Sequence, residues 1–350
     1  MKQSLMVVAL LGAIAAGSVH AQTAVQIYGT VDAGLIKRSG QSLNIGKRAS
    51  NTLGFKGTEE LGNGLKALFQ LEMRYEPDTG TNEIGANGTQ RPLFQGQSRV
   101  GLQGDFGMVR IGRGLTPYHE TVGAFEPFHA SPSPAGFWTD LAVAGYTSQP
   151  LDVAGYSNNR FANAAWYNSP LTNGFQVNAA FATKENGGGP AVIGRGTATA
   201  PQYPVGAEAS VNPFSITGTY NNGPAAFMAG YERNAIESKV WSIGASFAAT
   251  PELKLMGLYS KQDQEHNRFA NANTNAWVLG ANYTMGPGKF LAGYGQKDTD
   301  GLQKVKQFSL GYEYSLSKRT YLYVDASRKK GLSTLPSSVN HYDVGVNHSF

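Results

Sequence analysis

The feature of this sequence that most restricts its fold is a repeated alternation of apolar and polar residues. The even positions from 342 to 350 carry Tyr, Val, Val, His and Phe, whereas the positions between them carry Asp, Gly, Asn and Ser. A period of two residues predicts a strand with one apolar and one polar face. The same alternation recurs near residues 69–76, 175–181, 241–247, 277–285 and 308–315.

Turn signals such as Asn63-Gly64, Asn173-Gly174 and Asp300-Gly301 separate these segments. We predict sixteen strands, which begin near residues 24, 45, 64, 94, 107, 160, 173, 211, 224, 238, 252, 274, 288, 303, 319 and 339. No helical heptad and no alternation of strands with helices interrupts the series, which disfavours a parallel-sheet fold. The pattern therefore predicts an all-β, antiparallel protein.

The N-terminal segment predicts export. Lys2 precedes an apolar or small-residue run from Leu5 to Gly17, and Val19-His20-Ala21 has the small-x-small form of a signal-peptidase site. The run is too short to cross a hydrocarbon core as a helix, so we interpret residues 1–21 as a cleavable signal peptide. Its removal takes one Lys from the 29 basic residues and leaves all 24 acidic ones, which gives the remaining chain a net charge of +4.

Two architectures suit an exported antiparallel protein, a soluble β-sandwich and a transmembrane barrel. The sequence contains 44 Gly and only 15% charged residues, and small residues fill many positions on the polar faces. A sandwich core needs bulky side chains at such positions, whereas a water-filled lumen does not. Aromatic residues also cluster near strand ends, as in the interfacial girdles of membrane barrels; they include Tyr28, Trp166, Trp241, Trp277 and Tyr323. These features favour the barrel.

Motifs for catalysis, metal binding and nucleic-acid binding are missing from the sequence. Val240–Gly244 lacks the first Gly of a nucleophile elbow, and the Gly-rich segment 186–190 lacks the Lys-Ser/Thr of a phosphate-binding loop. The chain has no Cys, and its His residues show no metal-ligand spacing. The small positive charge is dispersed along the chain. We therefore expect no enzyme activity, cofactor, metal or nucleic-acid partner.

Five stretches in order resemble the general diffusion porins of Gram-negative bacteria, most closely those of β-proteobacteria. They are Val25–Gly34, Leu53–Ala67, Val100–Arg113, Tyr314–Thr320 and Val344–Phe350. The resemblance extends over essentially the whole mature chain. It implies a 16-stranded antiparallel transmembrane barrel in the cell outer membrane that lets small hydrophilic solutes and ions diffuse through a water-filled channel.

The resemblance further implies that the third extracellular loop folds into the lumen and narrows it. The candidate loop covers approximately residues 114–159, far longer than an ordinary hairpin connection. Within it, Ala124–Phe128 resembles an acidic-Pro-Phe turn of the family, which would place Glu126 at the constriction. Glu120 and Asp140 are further candidates.

The family sets a wall of arginines against this loop. Of three positions that we can align, Arg160 is retained, but the others fall on Thr52 and Gly96. Alternation offers replacements: if Leu53 faces lipid, three basic residues point into the lumen, namely Lys56, Arg74 and Arg110. For Arg99 the alternation predicts an inward side chain and the family register an outward one. We expect a weakly selective pore with a slight preference for anions.

The resemblance also implies an assembly and its partners. The family forms homotrimers embedded in outer-membrane lipid and lipopolysaccharide, and it pairs an acidic residue of the second loop with an Arg of the neighbouring subunit. These positions align with Glu83 and Arg113. The terminal Phe350 matches the family's C-terminal assembly signal.

Two other functions stay open. A substrate-specific channel for sugars or organic anions would carry an aromatic track, which Phe125, Phe128, Phe137 and Trp138 could begin. A barrel-embedded hydrolase would need an acid–base group, for which His119 with Glu120 is the only faintly suitable pair.

Overall fold

A computed structural model describes residues 24–84, 90–143, 146–151, 159–184, 211–263, 273–332 and 336–350. The predicted signal peptide lies outside these residues. Seventeen antiparallel strands are present in the described ranges: β1 (Ala24–Arg38), β2 (Asn44–Gly46), β3 (Thr52–Gly62), β4 (Leu65–Arg74), β5 (Gln97–Gly104), β6 (Gly107–Leu115), β7 (Arg160–Asn168), β8 (Phe175–Ala182), β9 (Phe214–Asn222), β10 (Ala225–Arg233), β11 (Lys239–Ala248), β12 (Leu253–Asp263), β13 (Thr274–Met285), β14 (Gly288–Thr299), β15 (Val305–Ser315), β16 (Thr320–Lys330) and β17 (Ser338–Ser349).

Sixteen of these strands form the wall of a closed barrel. Each pairs with its neighbours in the chain, and β1 pairs with both β3 and β17, which closes the sheet. The predicted 16-stranded antiparallel barrel is therefore confirmed. Fifteen of the predicted starts lie within three residues of the observed ones. The second wall strand, predicted near residue 45, begins at Thr52, because residues 47–51 leave the sheet between the three-residue β2 and β3. Among the described helices, none is long and apolar enough to cross a membrane.

The terminal residue closes the seam of the barrel. Phe350 exchanges two backbone hydrogen bonds with Gly29, of 3.1 and 3.2 Å. Its ring also lies against Gly29, where a side chain would collide with it. The start of β1 and the last residue therefore meet at the end of the barrel that carries the short turns, which is the periplasmic end in bacterial barrels.

The outer surface has the features of a membrane-facing wall. Apolar side chains on it are about half exposed, for example Ile243, Leu279 and Val344. Aromatic pairs lie at both ends of the strands, with ring centroids 4.2 to 5.6 Å apart; they are Phe175–Tyr220, Phe214–Tyr231, Trp241–Tyr259, Trp277–Tyr294 and Phe290–Tyr312. These rings form two interfacial girdles, although the predicted girdle residues Tyr28, Trp166 and Tyr323 point inward and make polar contacts there.

The connection between β6 and β7 folds into the lumen and packs on one side of the wall. We call its described residues, 116–143, 146–151 and 159, the inner loop; they contain the helix α1 (Pro117–Val122), a 3₁₀ turn (Gly123–Phe125) and a π-helical turn (Trp138–Ala142). Its large apolar side chains form a buried cluster with Met228, Val240, Leu258, Val278 and Leu291 of strands β10 to β14. Burying each such side chain contributes about 2 kcal/mol, which stabilises the folded-in position.

Small wall residues make this packing possible. A Cβ atom at Gly280 would lie 2.6 Å from the Pro127 ring, and one at Gly293 would lie 2.5 Å from the ring of Phe137. The sequence pattern indicates that small inward residues line open water. On strands β10 to β14 they instead leave room for the inner loop.

Candidate functional site

The start of the inner loop is fastened to the wall through its first helix. Pro117 at the N-terminus of α1 suits the fixed backbone angle of the first helical turn, and Thr116 caps this turn by accepting the N–H of His119. The backbone N–H of Tyr118 donates to Ser215 at 3.1 Å, and the Tyr118 hydroxyl lies 2.5 Å from that of Ser242. The helix is therefore fixed against β9 and β11.

Glu126 lies in the inner loop but does not face the water. Its side chain is fully buried, and its carboxylate accepts hydrogen bonds from the backbone N–H groups of Phe128 and Ala130. Burial raises its pKa to about 7, although these backbone donors act in the opposite direction. The expectation that Glu126 acts on ions at the constriction is therefore corrected: this carboxyl holds the loop's own backbone.

Glu120 meets two arginines of the wall. Its carboxylate lies 3.1 Å from Arg99 and 3.7 Å from Arg110. Arg99 also donates to Gln70, so its side chain points into the lumen, as the alternation predicted and against the family register. Arg110 donates to Asn168 at 2.7 Å. The three charged groups form one cluster at the foot of the inner loop with a net charge of +1.

Lys56 faces the same part of the lumen. Its ammonium group lies 5.0 Å above the ring of Tyr28, and its side chain borders an opening that Gln26, Gln70 and Arg110 also line. It is exposed. Lys56 is therefore a cation that ions in the channel can approach directly.

Arg160 occupies a different environment from the one the resemblance implied. It is fully buried and donates to the carbonyl of Gly96 and to the side chain of Asn159, both at 2.6 Å. Gly96 has no room for a side chain, because a Cβ atom there would lie 2.5 Å from the carboxylate of Glu72. Arg160 thus ties two loop ends together, and the expectation that it faces passing ions is corrected.

The second loop, which connects β4 and β5 and is described at residues 75–84 and 90–96, gathers several charged groups near the mouth. The Glu83 carboxylate contacts Lys47 at 3.2 Å, Arg91 at 3.1 Å and the side chain of Gln95 at 2.8 Å. Burial alone would raise its pKa, but Lys47, Arg74 and Arg91 lower it to about 2. Glu83 is therefore already paired with cations of its own chain.

Two other predicted residues lie in or near this region. Arg74 points inward, 3.2 Å from the hydroxyl of Ser50 and 3.9 Å from Glu72. Arg113 donates to the backbone carbonyl of Gln95 at 3.2 Å. Glu83 and Arg113 therefore approach the same residue from two sides. Asp140 belongs to the π-helical turn, but its side chain lies outside the described residues.

Sequence reasoning missed a polar cluster around Arg48. Residues 47–51 bend into the lumen, where the Arg48 guanidinium donates to Asp325 and Glu313, both at 2.7 Å, and its backbone N–H donates to Asp32. Ser131 of the inner loop donates to the Arg48 carbonyl at 2.7 Å. This segment, which we call the first-loop detour, therefore braces the tip of the inner loop.

A signal for this cluster was present in the sequence. Asp32, Glu313, Asp325 and Asp343 each occupy the polar face of an alternating strand, on strands that the barrel closure brings together. Several inward carboxylates need a nearby cation, since an unpaired buried charge is costly. The sequence pattern predicts a strand that includes Lys47 and Arg48, and this prediction hides Arg48 as the cation that faces the carboxylates.

The residues of the two alternative functions do not form the sites that those functions need. Phe125, Phe128, Phe137 and Trp138 are at most 7% exposed and pack in the loop cluster, so they form no continuous aromatic track along the water. The His119 ring is buried, whereas the Glu120 carboxylate faces Arg99 and Arg110. These two neighbours therefore do not form an acid–base pair.

The comparisons with known proteins agree with this architecture. A family model for Gram-negative porins matches residues 6–332. Outer membrane porin protein 32 of Delftia acidovorans is 31% identical over 356 residues, which cover 96% of this chain and 92% of that protein. An outer membrane porin protein of Bordetella pertussis is 27% identical over an alignment that covers 100% of both chains.

Solved structures show the same fold. An anion-selective porin from Comamonas acidovorans superimposes with a TM-score of 0.74 and 24% identity, over 94% of this chain and 100% of that one. Salmonella typhi OmpF in complex with daunomycin superimposes with a TM-score of 0.67 and 15% identity, over 93% of this chain and 97% of that one. From its family model, its relatives and its barrel, this chain belongs to the Gram-negative porin family and is a protein of the outer membrane.

Proposed function

We propose that this porin is a general diffusion channel with a weak preference for anions. The observation that carries the proposal is the inner loop, whose apolar face is buried against strands β10 to β14, while Gln176, Asn178 and Lys254 of the wall line the opening beside Glu120 of the loop. Such a passage sorts solutes by size and charge. The similar porin from Comamonas acidovorans, which is described as anion-selective, also supports the sign of the preference.

The arrangement of charged side chains in the lumen explains why the ion preference of the channel should be weak and should favour anions. Glu126 is buried and Glu120 is paired with two arginines, so these two loop carboxylates are partly withdrawn from the water. Lys56 is exposed, and Lys289 keeps 30% of its side chain exposed beside Glu313. Water and salt screen each of these charges over about 10 Å at 0.1 M. The preference should therefore stay below about tenfold, which corresponds to roughly 1.4 kcal/mol.

We also propose the biological form of the channel. After removal of residues 1–21, residues 22–350 form one barrel without a separable domain, because every strand needs both neighbours to satisfy its backbone in lipid. Three such barrels associate in outer-membrane lipid with lipopolysaccharide, and Glu83 and Arg113 contribute to the subunit contact. Phe350 serves as the C-terminal assembly signal. The channel acts on small hydrophilic solutes and ions without chemical catalysis.

The decisive experiment measures single-channel currents in a planar bilayer under a gradient of KCl. We expect stable open steps, closures in three equal decrements from a trimer, and a reversal potential displaced slightly toward that of chloride. Protein-free detergent at the same dilution is the control. Absence of conducting steps would contradict the proposal that the protein forms a channel. A strongly cation-selective current would contradict the proposal that exposed cations in the lumen set the selectivity.

A further inference from the structure

Three cations lie together on the outer surface of the barrel. Strand β15 alternates buried and exposed side chains, and its outward residues begin with Lys306 and Phe308. On β16 the outward residues end with Arg328 and Lys330. The register places Lys306 directly opposite Lys330 and Phe308 directly opposite Arg328. We call Lys306, Arg328 and Lys330 the cationic patch; all three side chains are exposed.

The cationic patch places like charges against each other. Residues directly opposite in antiparallel strands have Cβ atoms about 4.5–5.5 Å apart, and two like charges in such a pair destabilise the sheet. Within the described residues, no side chain of the patch forms an ion pair, whereas the nearby Lys304 pairs with Asp298 at 2.8 Å. The patch therefore carries a positive charge that an anion from outside the chain would compensate.

Another pair of strands carries balanced charges at the same end of the barrel. Lys239 of β11 lies directly opposite Asp263 of β12, and their charged atoms are 4.0 Å apart. The next outward residue of β12, Lys261, lies opposite Trp241 and Asn275, so it faces no second cation. Opposed cations are therefore a particular feature of β15 and β16 and not a requirement of the rim.

The cationic patch lies at the depth of the lipid headgroups. A short turn joins β15 to β16 at the periplasmic end, so the patch occupies the opposite, extracellular end of both strands. Next to it, toward the middle of the membrane, Phe308 faces Tyr294, and beyond them lie the outward residues Leu310 and Val324. Aromatic rings of this kind mark the boundary between hydrocarbon and headgroups. The patch is therefore just outside the hydrocarbon of the outer leaflet.

Phosphate monoesters match the chemistry of the cationic patch. Such a group carries about −1.5 to −2 charges at neutral pH and has three acceptor oxygens. Charged donors hold these oxygens strongly, and a guanidinium can donate two hydrogen bonds to one phosphate. Gln296 and Asn340, which lie opposite Lys306 and Arg328, add amide groups at the edges of the patch. A zwitterionic phospholipid headgroup brings its own cation and would leave the charge of the patch uncompensated.

The patch stays open to lipid in the trimer that we propose. The proposed subunit contact involves the second loop, between β4 and β5, whereas β17, β1 and β3 separate β16 from β4 in the wall. Four steps between neighbouring strands, at about 4.8 Å each, amount to about 19 Å. The contact and the cationic patch therefore occupy different parts of the outer surface.

We propose that the cationic patch binds the phosphate groups of lipid A, the membrane anchor of lipopolysaccharide. The acyl chains of the lipid would lie along Leu310 and Val324, while the long lysine and arginine side chains reach upward to the phosphates. The inference rests on the proposed function, because it gives the proposed association with lipopolysaccharide a location and a chemistry.

The test measures binding of diphosphoryl lipid A to the purified protein in detergent micelles by native mass spectrometry, with EDTA present to remove bridging divalent cations. We expect saturable binding, with a dissociation constant about fivefold lower than that of monophosphoryl lipid A and lower still than that of phosphatidylethanolamine. Inorganic phosphate at the same concentration should not displace the lipid, because it gains nothing from the apolar surface. Displacement by inorganic phosphate alone would overturn the assignment to a lipid.

Variants of the patch locate the effect. The double variant Lys306→Gln, Lys330→Gln should raise the dissociation constant of diphosphoryl lipid A about twentyfold, and Arg328→Gln alone about fivefold, because each cation near a charged lipid contributes about equally. Lys261→Gln removes an exposed cation at the same end of the barrel and is the matched control. All variants should conduct like wild type in a planar bilayer, because these side chains face away from the lumen.

The possible failures are distinguishable. Equal affinity in wild type and Arg328→Gln, or an equal loss in Lys261→Gln, would overturn the cationic patch as the binding site, even if the double variant did not fold. A wild-type protein that binds diphosphoryl lipid A no better than phosphatidylethanolamine would contradict the proposed association with lipopolysaccharide as well. Loss of conduction in wild type would contradict the channel instead.

Discussion

At the scale of single residues, Glu126 maintains a backbone conformation that side chains rarely adopt. His129 and Ala130 have φ angles of 52° and 58°, in the left-handed region that favours glycine. The buried carboxylate of Glu126 offsets this strain by accepting the N–H groups of Phe128 and Ala130. One acidic residue therefore stabilises the tip of the inner loop.

Replacement of Glu126 by Gln should loosen this tip. The amide has one acceptor oxygen where the carboxylate has two, so one buried backbone N–H loses its partner at a cost of about 1–3 kcal/mol. Hydrogen exchange should become faster at Phe128 and Ala130 and stay unchanged in the barrel strands. Glu252→Gln, in an exposed turn, is a matched control. Unchanged exchange at the tip would show that the carboxylate does not hold the turn.

Lys56 should influence the selectivity of the open channel. Lys56→Glu exchanges an exposed lumen cation for an anion, so the reversal potential should move toward cation preference. Lys318→Glu makes the same change in an exposed turn and should move it less, because salt screens that position from the channel. Equal shifts for the two variants would show that only net charge matters. Arg160 is a poor choice for this experiment, because its burial would turn a charge reversal into a folding defect.

At the scale of elements, the inner loop and the wall behind it share one packed interior. Aromatic and proline side chains of the loop fill spaces that wall glycines leave open. Overpacking such an interface typically costs about 1–3 kcal/mol. The position of the loop, and hence the width of the passage, therefore depends on residues that never contact the water.

Gly280→Val should displace the inner loop. The new side chain would collide with Pro127, whose ring cannot rotate away. Single-channel conductance should change and its fluctuations should increase, while the barrel stays folded. Gly218→Val is the control, because a Cβ atom there meets nothing within 4 Å and the substitution has the same strand propensity. A conductance equal to that of wild type would contradict the packing argument.

The second loop should weaken in acid. The pKa of Glu83 is lowered to about 2 from an ordinary value of 4.5, so its ion pairs stabilise the folded chain fully above pH 4.5. This contribution is lost as the pH falls from 4.5 toward 2. The melting temperature of wild type should therefore exceed that of Glu83→Gln at pH 7, and the difference should shrink at pH 3. A difference independent of pH would indicate that the carboxylate acts through packing alone.

At the scale of the whole molecule, the same second loop is our candidate for the contact between subunits. Arg113→Ala should lower the melting temperature of the proposed trimer in detergent, since the substitution removes the hydrogen bond to Gln95 and the proposed contact with a neighbouring subunit. A double-mutant cycle with Glu83→Ala tests whether the two residues are coupled. If the trimer melts unchanged, or if the two effects simply add, the pairing across subunits is wrong.

The sequence was sufficient to predict the strands, their antiparallel order and the membrane barrel, because a period of two residues and short turns are local signals. The start of the inner loop was predicted to within two residues, because a long insertion interrupts the alternation of apolar and polar residues there. The sequence did not reveal that Glu126 of the inner loop and Arg160 of β7 are buried, because the burial of each side chain depends on residues that are distant in the chain. The role of Arg48 was missed for the same reason: the two carboxylates that accept from its guanidinium lie more than 260 residues away in the chain.

The shared interior of loop and wall has a consequence for how such channels diverge. A glycine of β13 or β14 and the ring that covers it occupy a single volume, so neither can be enlarged unless the other is reduced. Substitutions at Gly280 and Gly293 should therefore be accompanied, among relatives, by compensating changes at Pro127 and Phe137. Positions bordering the water carry no such restriction. The channel can then change its charge lining one residue at a time, whereas its bore can change only by paired replacements.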